Sequence, residues 1–195
     1  MAPSLISALV LVFVFALGNT KLDPDAFADS LLREYNFYRN LHGVQSVKVN
    51  DLMSAKCEKY AHKLGTRAAV HPCLVHSRSN GENLMFYWNY APVTEKELAE
   101  FTVKEFYNEI KFYNFNKPGF RVPAAHFTQM IWKNVKEIGI GLFERNFTKN
   151  SFGDCHVGTK AQASAYFVVI HHDPEGNRFD KDQFLNNVFT AKRRA

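Results

Sequence analysis

Cysteine is scarce. The 195 residues hold three, Cys57, Cys73 and Cys155. A fold stapled mainly by disulfides is thereby excluded, since such scaffolds carry about four to eight cysteines. In an oxidising compartment, one pair and one leftover thiol is the natural count, and three pairings are open. Cys73 and Cys155 are the disulfide candidates because both fall in loops, whereas Cys57 falls on an apolar helical face. Concentrated positive charge is also missing. Lys and Arg total 24 against 19 Asp and Glu, a net charge of +5, and the only tight basic run is Lys192-Arg193-Arg194. That spread argues against nucleic acid as a partner, while leaving weak attraction to an anionic membrane surface. There is no internal repeat, no zinc-finger or HExxH spacing and no nucleophile elbow. After residue 18 no apolar run is long enough to span a bilayer.

The N-terminus is a separate object. Leu5 to Leu17 is apolar apart from Ser7 and runs into Ala16-Leu17-Gly18, with small residues at the −3 and −1 places of a cleavage site. This predicts a signal peptide over 1–18, a single domain over 19–195, and a secreted, extracellular protein. An uncleaved anchor is the rival, because no Lys or Arg precedes the apolar segment. The sequon Asn146-Phe147-Thr148 makes Asn146 a glycosylation candidate on the same route.

What the chain does have is apolar and aromatic content. Hydrophobic residues make up 46% and aromatic residues 14%, with 18 Phe, enough for one globular domain with an aromatic core. Asp23-Pro24 reads as a helix cap and first turn, followed by Phe27, Leu31 and Tyr35 at helical spacing up to Gly43. Val47–Val49 suits a short extended piece. Asn50 caps a second helix, and Thr94 with Glu97 forms a capping box for a third. Leu84–Trp88 fits either a strand or a helix start. Pro123 sits where a first helical turn tolerates it, ahead of His126. Ile138 to Phe143 alternates glycine, as a strand does where another backbone packs closely. Ser164–His171 is the clearest strand, with Tyr166, Val168 and Ile170 on one face and Phe167 and Val169 on the other. Both faces are apolar, so both must be covered. The layer solution is an α+β fold: a three-layer α/β/α sandwich around a small central antiparallel sheet.

Four polar residues invite a site: His76, Glu82, Glu109 and His126. Two neutral imidazoles suit Zn²⁺ or a similar divalent metal, and two carboxylates can orient them. By spacing alone, these are four separate polar residues. The motifs around them are more specific. Ala125-His126-Phe127-Thr128-Gln129-Met130-Ile131-Trp132 resembles the GHFTQ signature of the CAP superfamily, with Ala125 where Gly is usual. Asn36 to Arg39 resembles its HNxxR element, with Tyr35 where His is common. His76-Ser77 with Gly81-Glu82-Asn83-Leu84 resembles HS…GENL, and Phe106–Ile110 resembles WYxEI. Phe167 to Asn177 resembles FVVCNYxPxGN, except that Ile170, His171 and His172 replace Cys-Asn-Tyr. Tyr113 to Phe120 and the low cysteine count look most like the Golgi-associated plant pathogenesis-related branch.

The resemblance implies the CAP fold and a cleft holding His76, Glu82, Glu109 and His126, with His76 and His126 as metal ligands. It also implies that Tyr113, Phe115 and Phe120, spaced aromatic-x-aromatic-x₄-aromatic, bind sterol or another lipid. The leading expectation is a non-enzymatic secreted protein that binds such a ligand in defence or host interaction. Alternatives are a metal-assisted hydrolase using the four residues, with Glu82 or Glu109 as base, and a protein–protein module, including a homodimer.

Overall fold

The computed structural model describes residues 21–67, 73–147 and 163–192. The expected signal peptide, Cys155 and the Thr148 of the sequon lie outside the described residues. Helix α1 (Pro24–Leu41) starts as its sequence predicts: Pro24 takes the first position, and the Asp23 side chain accepts from the N–H groups of Asp25 and Ala26. Its buried side includes Phe27, Leu31 and Tyr35. Strand β1 (Lys48–Val49) follows, then α2 (Asp51–Thr66), whose cap Asn50 accepts from Met53 N–H. After β2 (Glu82–Asn89), the reciprocal Thr94–Glu97 capping box opens α3 (Glu95–Asn108). Two 3-10 turns, Glu109–Phe112 and Val122–Ala124, lead to the short α4 (Ala125–Met130). Pro123 thus lies in the turn before α4 rather than in the helix. Strands β3 (Glu137–Phe147) and β4 (Ala163–Asp173) and helix α5 (Gln183–Asn187) complete the chain. Helix α5 is one the periodicity did not predict; at five residues it is too short to show any.

The sheet order is β1-β3-β4-β2. The two long ladders, β3 with β4 and β4 with β2, are antiparallel as expected. The edge corrects that expectation: two-residue β1 runs parallel to β3, so the sheet is mixed. A parallel neighbour requires a crossover, and the α1–β1 segment reaches β3 only after the chain has passed through α2, β2 and α3. Central β4 is buried on both faces. Tyr166, Val168 and Ile170 join the core under α1 and α3, whereas Ala165, Phe167 and Val169 join the core under α2. This is the α/β/α sandwich. The β3 glycines act as their alternation predicts. A Cβ on Gly139 would sit 2.5 Å from Met53 Cβ, and one on Gly141 2.2 Å from the Cys57 carbonyl carbon, so α2 rests directly on the strand backbone.

Arg39, wholly buried at the end of α1, ties the layers together. Its guanidinium donates to the carbonyls of Gln45, Met130, Trp132 and Val135 at 2.7–3.1 Å. Cys57 is a free, buried thiol, as its helical face implied. Burial pushes its pKa up to about 12, which keeps it protonated and unreactive. Cys73 is disulfide-bonded. Among the described residues, no helix is long and apolar enough to cross a membrane.

Candidate functional site

The four candidate residues come from four elements and form two pairs, and three of them, His76, Glu82 and His126, line one cleft. His76 lies in the loop before β2, and its Nδ1 is 2.9 Å from Glu82 Oε1 at the start of that strand. His126 is the second residue of α4, and its Nδ1 is 2.7 Å from Glu109 Oε1 in the 3-10 turn after α3. Glu109 also caps α4 from outside: its Oε2 accepts from the N–H groups of His126 and Phe127 at 2.9 and 3.1 Å. A carboxylate at a helix N-terminus satisfies orphan donors and complements the local positive potential. The His126 ring stacks on Phe106, 4.8 Å between centroids. One carboxylate therefore sets the helix, the ring angle and the tautomer together.

Each imidazole donates its Nδ1–H to its carboxylate, so the lone pair lies on Nε2. His76 and His126 both line a cavity of about 520 Å³. Neutral histidine oriented by a carboxylate is the donor chemistry a divalent metal requires, so the residues present fit one. Among the described residues no cluster of three or more His, Cys, Asp or Glu could hold an ion.

Glu82 is the more constrained carboxylate, with its side chain 1% exposed. Burial raises its pKa, but hydrogen bonds from His171, His76 and Ser77 outweigh that and hold it down at about 2. The same hydrogen bond to Glu82 raises the His76 pKa. His171 is the residue the sequence reading missed as part of this site. Its Nε2 is 2.9 Å from Glu82 Oε2. The signal was available, since His171 departs from the motif, but the contact depends on register: β4 places His171 directly opposite Glu82 on β2.

The neighbouring His172 has a different task. Its Nδ1–H donates to the Gly81 carbonyl at 2.7 Å, and its Nε2 accepts from the Tyr35 hydroxyl. Burial lowers its pKa to about 3, so it stays neutral and pins the turn before Glu82 to α1. Gly81 has φ of +70°, which favours glycine at that turn.

The three rings read as a lipid loop are not brought together. Tyr113 is 7% exposed and packs on Phe115 at 5.0 Å, and both lie against Phe127. Phe120, 39% exposed, turns the other way onto Phe179 at 4.9 Å and Phe184 at 6.3 Å. Gly119 does not adopt positive φ and has open space where a Cβ would sit, so nothing there folds Phe120 back onto its predicted companions. Asn146 is exposed near the end of β3, and its side-chain oxygen accepts from Ser164.

Comparison with known proteins agrees with this geometry. The family model "CAP: Cysteine-rich secretory protein family" matches residues 32–171. Human Golgi-associated plant pathogenesis-related protein 1 is 33% identical over 170 residues, covering 86% of this chain and 95% of that protein. Among solved structures, hookworm platelet inhibitor matches with a TM-score of 0.56 at 17% identity, over 85% of this chain and 78% of that one. NaASP2 with Zn²⁺ matches with a TM-score of 0.54 at 15% identity, over 84% and 86% respectively. The five motifs, the sandwich around a mixed sheet and the paired imidazole–carboxylate cleft have a common source: this chain belongs to the CAP family.

Proposed function

We propose that the protein is a non-enzymatic, secreted binding protein. Its cleft takes a divalent metal, with Zn²⁺ the natural fit, on His76 and His126, and its aromatic rim takes a lipid such as sterol. The observation that carries the reading is the use of the histidine nitrogens. Both Nδ1 atoms are committed to Glu82 and Glu109, which leaves both Nε2 atoms for the cleft. When bound, the metal would supply a Lewis acid that holds an oxygen of the ligand. Among the described residues no hydroxyl or thiol is hydrogen-bonded to either imidazole. The Ser77 hydroxyl instead accepts from Ser79 N–H, so binding is favoured over nucleophilic chemistry. The Cys73 disulfide, with Cys155 as its proposed partner, suits export.

Zinc titration by calorimetry tests the metal site. The full chain should bind one Zn²⁺, and His126→Ala should weaken binding by roughly 100-fold or more, in line with the loss of a ligand rather than of a supporting group. Ligation needs a neutral imidazole. Because the Glu82 hydrogen bond raises the His76 pKa above its ordinary value, affinity should already fall as pH drops from neutral towards 6. Unchanged affinity in His126→Ala, or a flat profile over that range, would refute the assignment.

For the lipid, support comes from a groove of about 330 Å³ beside the cleft, lined by Pro118, Phe120, Phe179, Phe184 and Leu185. Two of its rings, Phe120 and Phe179, are exposed, so the lipid is assigned to them rather than to Tyr113 and Phe115. Losing one ring face of about 50 Å² at roughly 25 cal/mol per Å² costs about 1.3 kcal/mol, or roughly tenfold in affinity. In a cholesterol-binding titration, Phe120→Ala and Phe179→Ala should each show that loss while remaining folded by circular dichroism. Full binding by both variants would remove the lipid from this groove.

A further inference from the structure

We infer that the cleft is built to read a neutral N-acetylated sugar, with Gln129 as the anchor for its acetamido carbonyl. The inference rests on the cleft being a binding site, as proposed above, and names a ligand class for it. Gln129 lies three residues after His126 on α4, so both side chains reach the same cavity. Gln129 is 2% exposed, and its Nε2 is buried with no hydrogen-bond partner. The side chain is clamped. A Cβ on Gly176 would lie 3.0 Å from Gln129 Oε1 and 2.8 Å from the Trp132 ring, so the backbone at Gly176 closes directly over both. A buried donor held without an acceptor is costly, and native structures rarely keep one without a use. Gln129 lines the cleft, the side from which a ligand carbonyl can satisfy the amide.

The remaining free groups narrow the class. Glu175 and Asn80 line the same cavity and have no hydrogen-bond partners among the described residues, so they offer an acceptor and an amide to hydroxyl groups. Asn83 and Asn177 are already spent, on the His126 carbonyl and on Ala125 and Thr128. Charge excludes anions. Glu82, Glu175 and Asp180 face the cavity, and its one Arg, Arg178, is already paired with Asp180 at 2.9 Å. At the rim, Phe120 and Phe179 meet at 4.9 Å, with Phe179 78% exposed. Together these ask for a neutral molecule with a carbonyl acceptor, several hydroxyl groups and one apolar face. A sterol, with its single hydroxyl, leaves Gln129, Glu175 and Asn80 largely unmatched. A pyranose carrying an acetamido group satisfies all three and lays its C–H face on the rings. A cavity of about 520 Å³ falls within the size range of small-ligand sites.

The test uses triacetylchitotriose as probe, titrated into the ¹⁵N-labelled full chain with chelator present. Saturable binding is expected with a Kd of about 1 mM or tighter, together with a shift of the Gln129 side-chain NH₂ signals. Gln129→Met keeps the bulk and removes the amide. It should weaken binding at least tenfold while melting no lower than the wild type, since it also removes an unsatisfied donor. Maltotriose, which lacks the acetamido group, should bind at least tenfold more weakly. If Gln129→Met does not fold, the wild-type side-chain shift and the maltotriose comparison decide. The inference is overturned by absent saturation, by binding without a Gln129 shift, by unchanged affinity in folded Gln129→Met, or by equal binding of a neutral acetylated dipeptide. Zinc titration is run on the same samples. If the sugar fails while zinc still needs His76 and His126, only the sugar falls; if zinc fails while the sugar binds, only the metal does.

Discussion

Replacing Arg39 by leucine is expected to lower the midpoint of thermal unfolding by about 8–16 °C. The guanidinium is buried and donates to four backbone carbonyls, of Gln45, Met130, Trp132 and Val135. No leucine atom can donate to any of them. Each buried acceptor left unpaired costs about 1–3 kcal/mol, although relaxation keeps single-site losses near 4–5 kcal/mol at most. Taking about 4 kcal/mol, a domain of this size shifts by about 2–4 °C per kcal/mol. Lysine should fall in between, because one ammonium cannot reproduce the planar fork that reaches both sides of the α4–β3 turn. Differential scanning calorimetry of the three proteins checks this. A shift under about 3 °C in Arg39→Leu would mean that water or backbone movement satisfies the carbonyls.

Glu82→Gln is expected to cost about 2–3 kcal/mol at neutral pH and to flatten the acid side of the stability profile. The carboxylate accepts from His76, Ser77 and His171, and its pKa is held down at about 2 against about 4.3 for an unfolded Glu. A carboxyl whose pKa is depressed by folding contributes stability that is fully present above the unfolded value. That contribution is lost as pH falls through the folded value. Urea unfolding of wild type and variant should therefore differ most above about pH 5 and converge between about pH 4 and pH 2. An amide has one acceptor oxygen where the carboxylate has two, so either His76 or His171 must lose its contact or change tautomer. Zinc affinity should then drop by roughly 10–100-fold, as when a group behind a metal ligand is removed. A constant gap across the pH range would show that Glu82 acts by shape rather than by charge.

Much of the frame was legible because it is written locally. Asp23, Asn50 and Thr94 with Glu97 announce helix starts through hydrogen bonds that span no more than three residues. The two-faced apolar pattern of β4 and the glycines of β3 required a layer on each side, and both layers are there. The parallel β1 edge was not legible, because two residues carry no pattern that distinguishes one strand direction from the other. The aromatic loop misled for a related reason. Spacing along the chain says nothing of direction, and two of its three rings are drawn onto Phe127 while the third is drawn onto Phe179 and Phe184.

The sequence by itself determined the family, the helix caps and the strands' two faces, through short local patterns. Only the tertiary structure decided which residue answers which. His171 meets Glu82 because the β2–β4 register sets them opposite each other. Tyr35 and His172 read as two unrelated departures from family motifs, Tyr where His is common and His where Tyr is common. Folded, they are one buried hydrogen bond between residues 137 positions apart. The physical reason is that a hydrogen bond is specified by distance and direction in space. A chain pattern fixes those only within a turn or two, and beyond that range packing of the layers sets them.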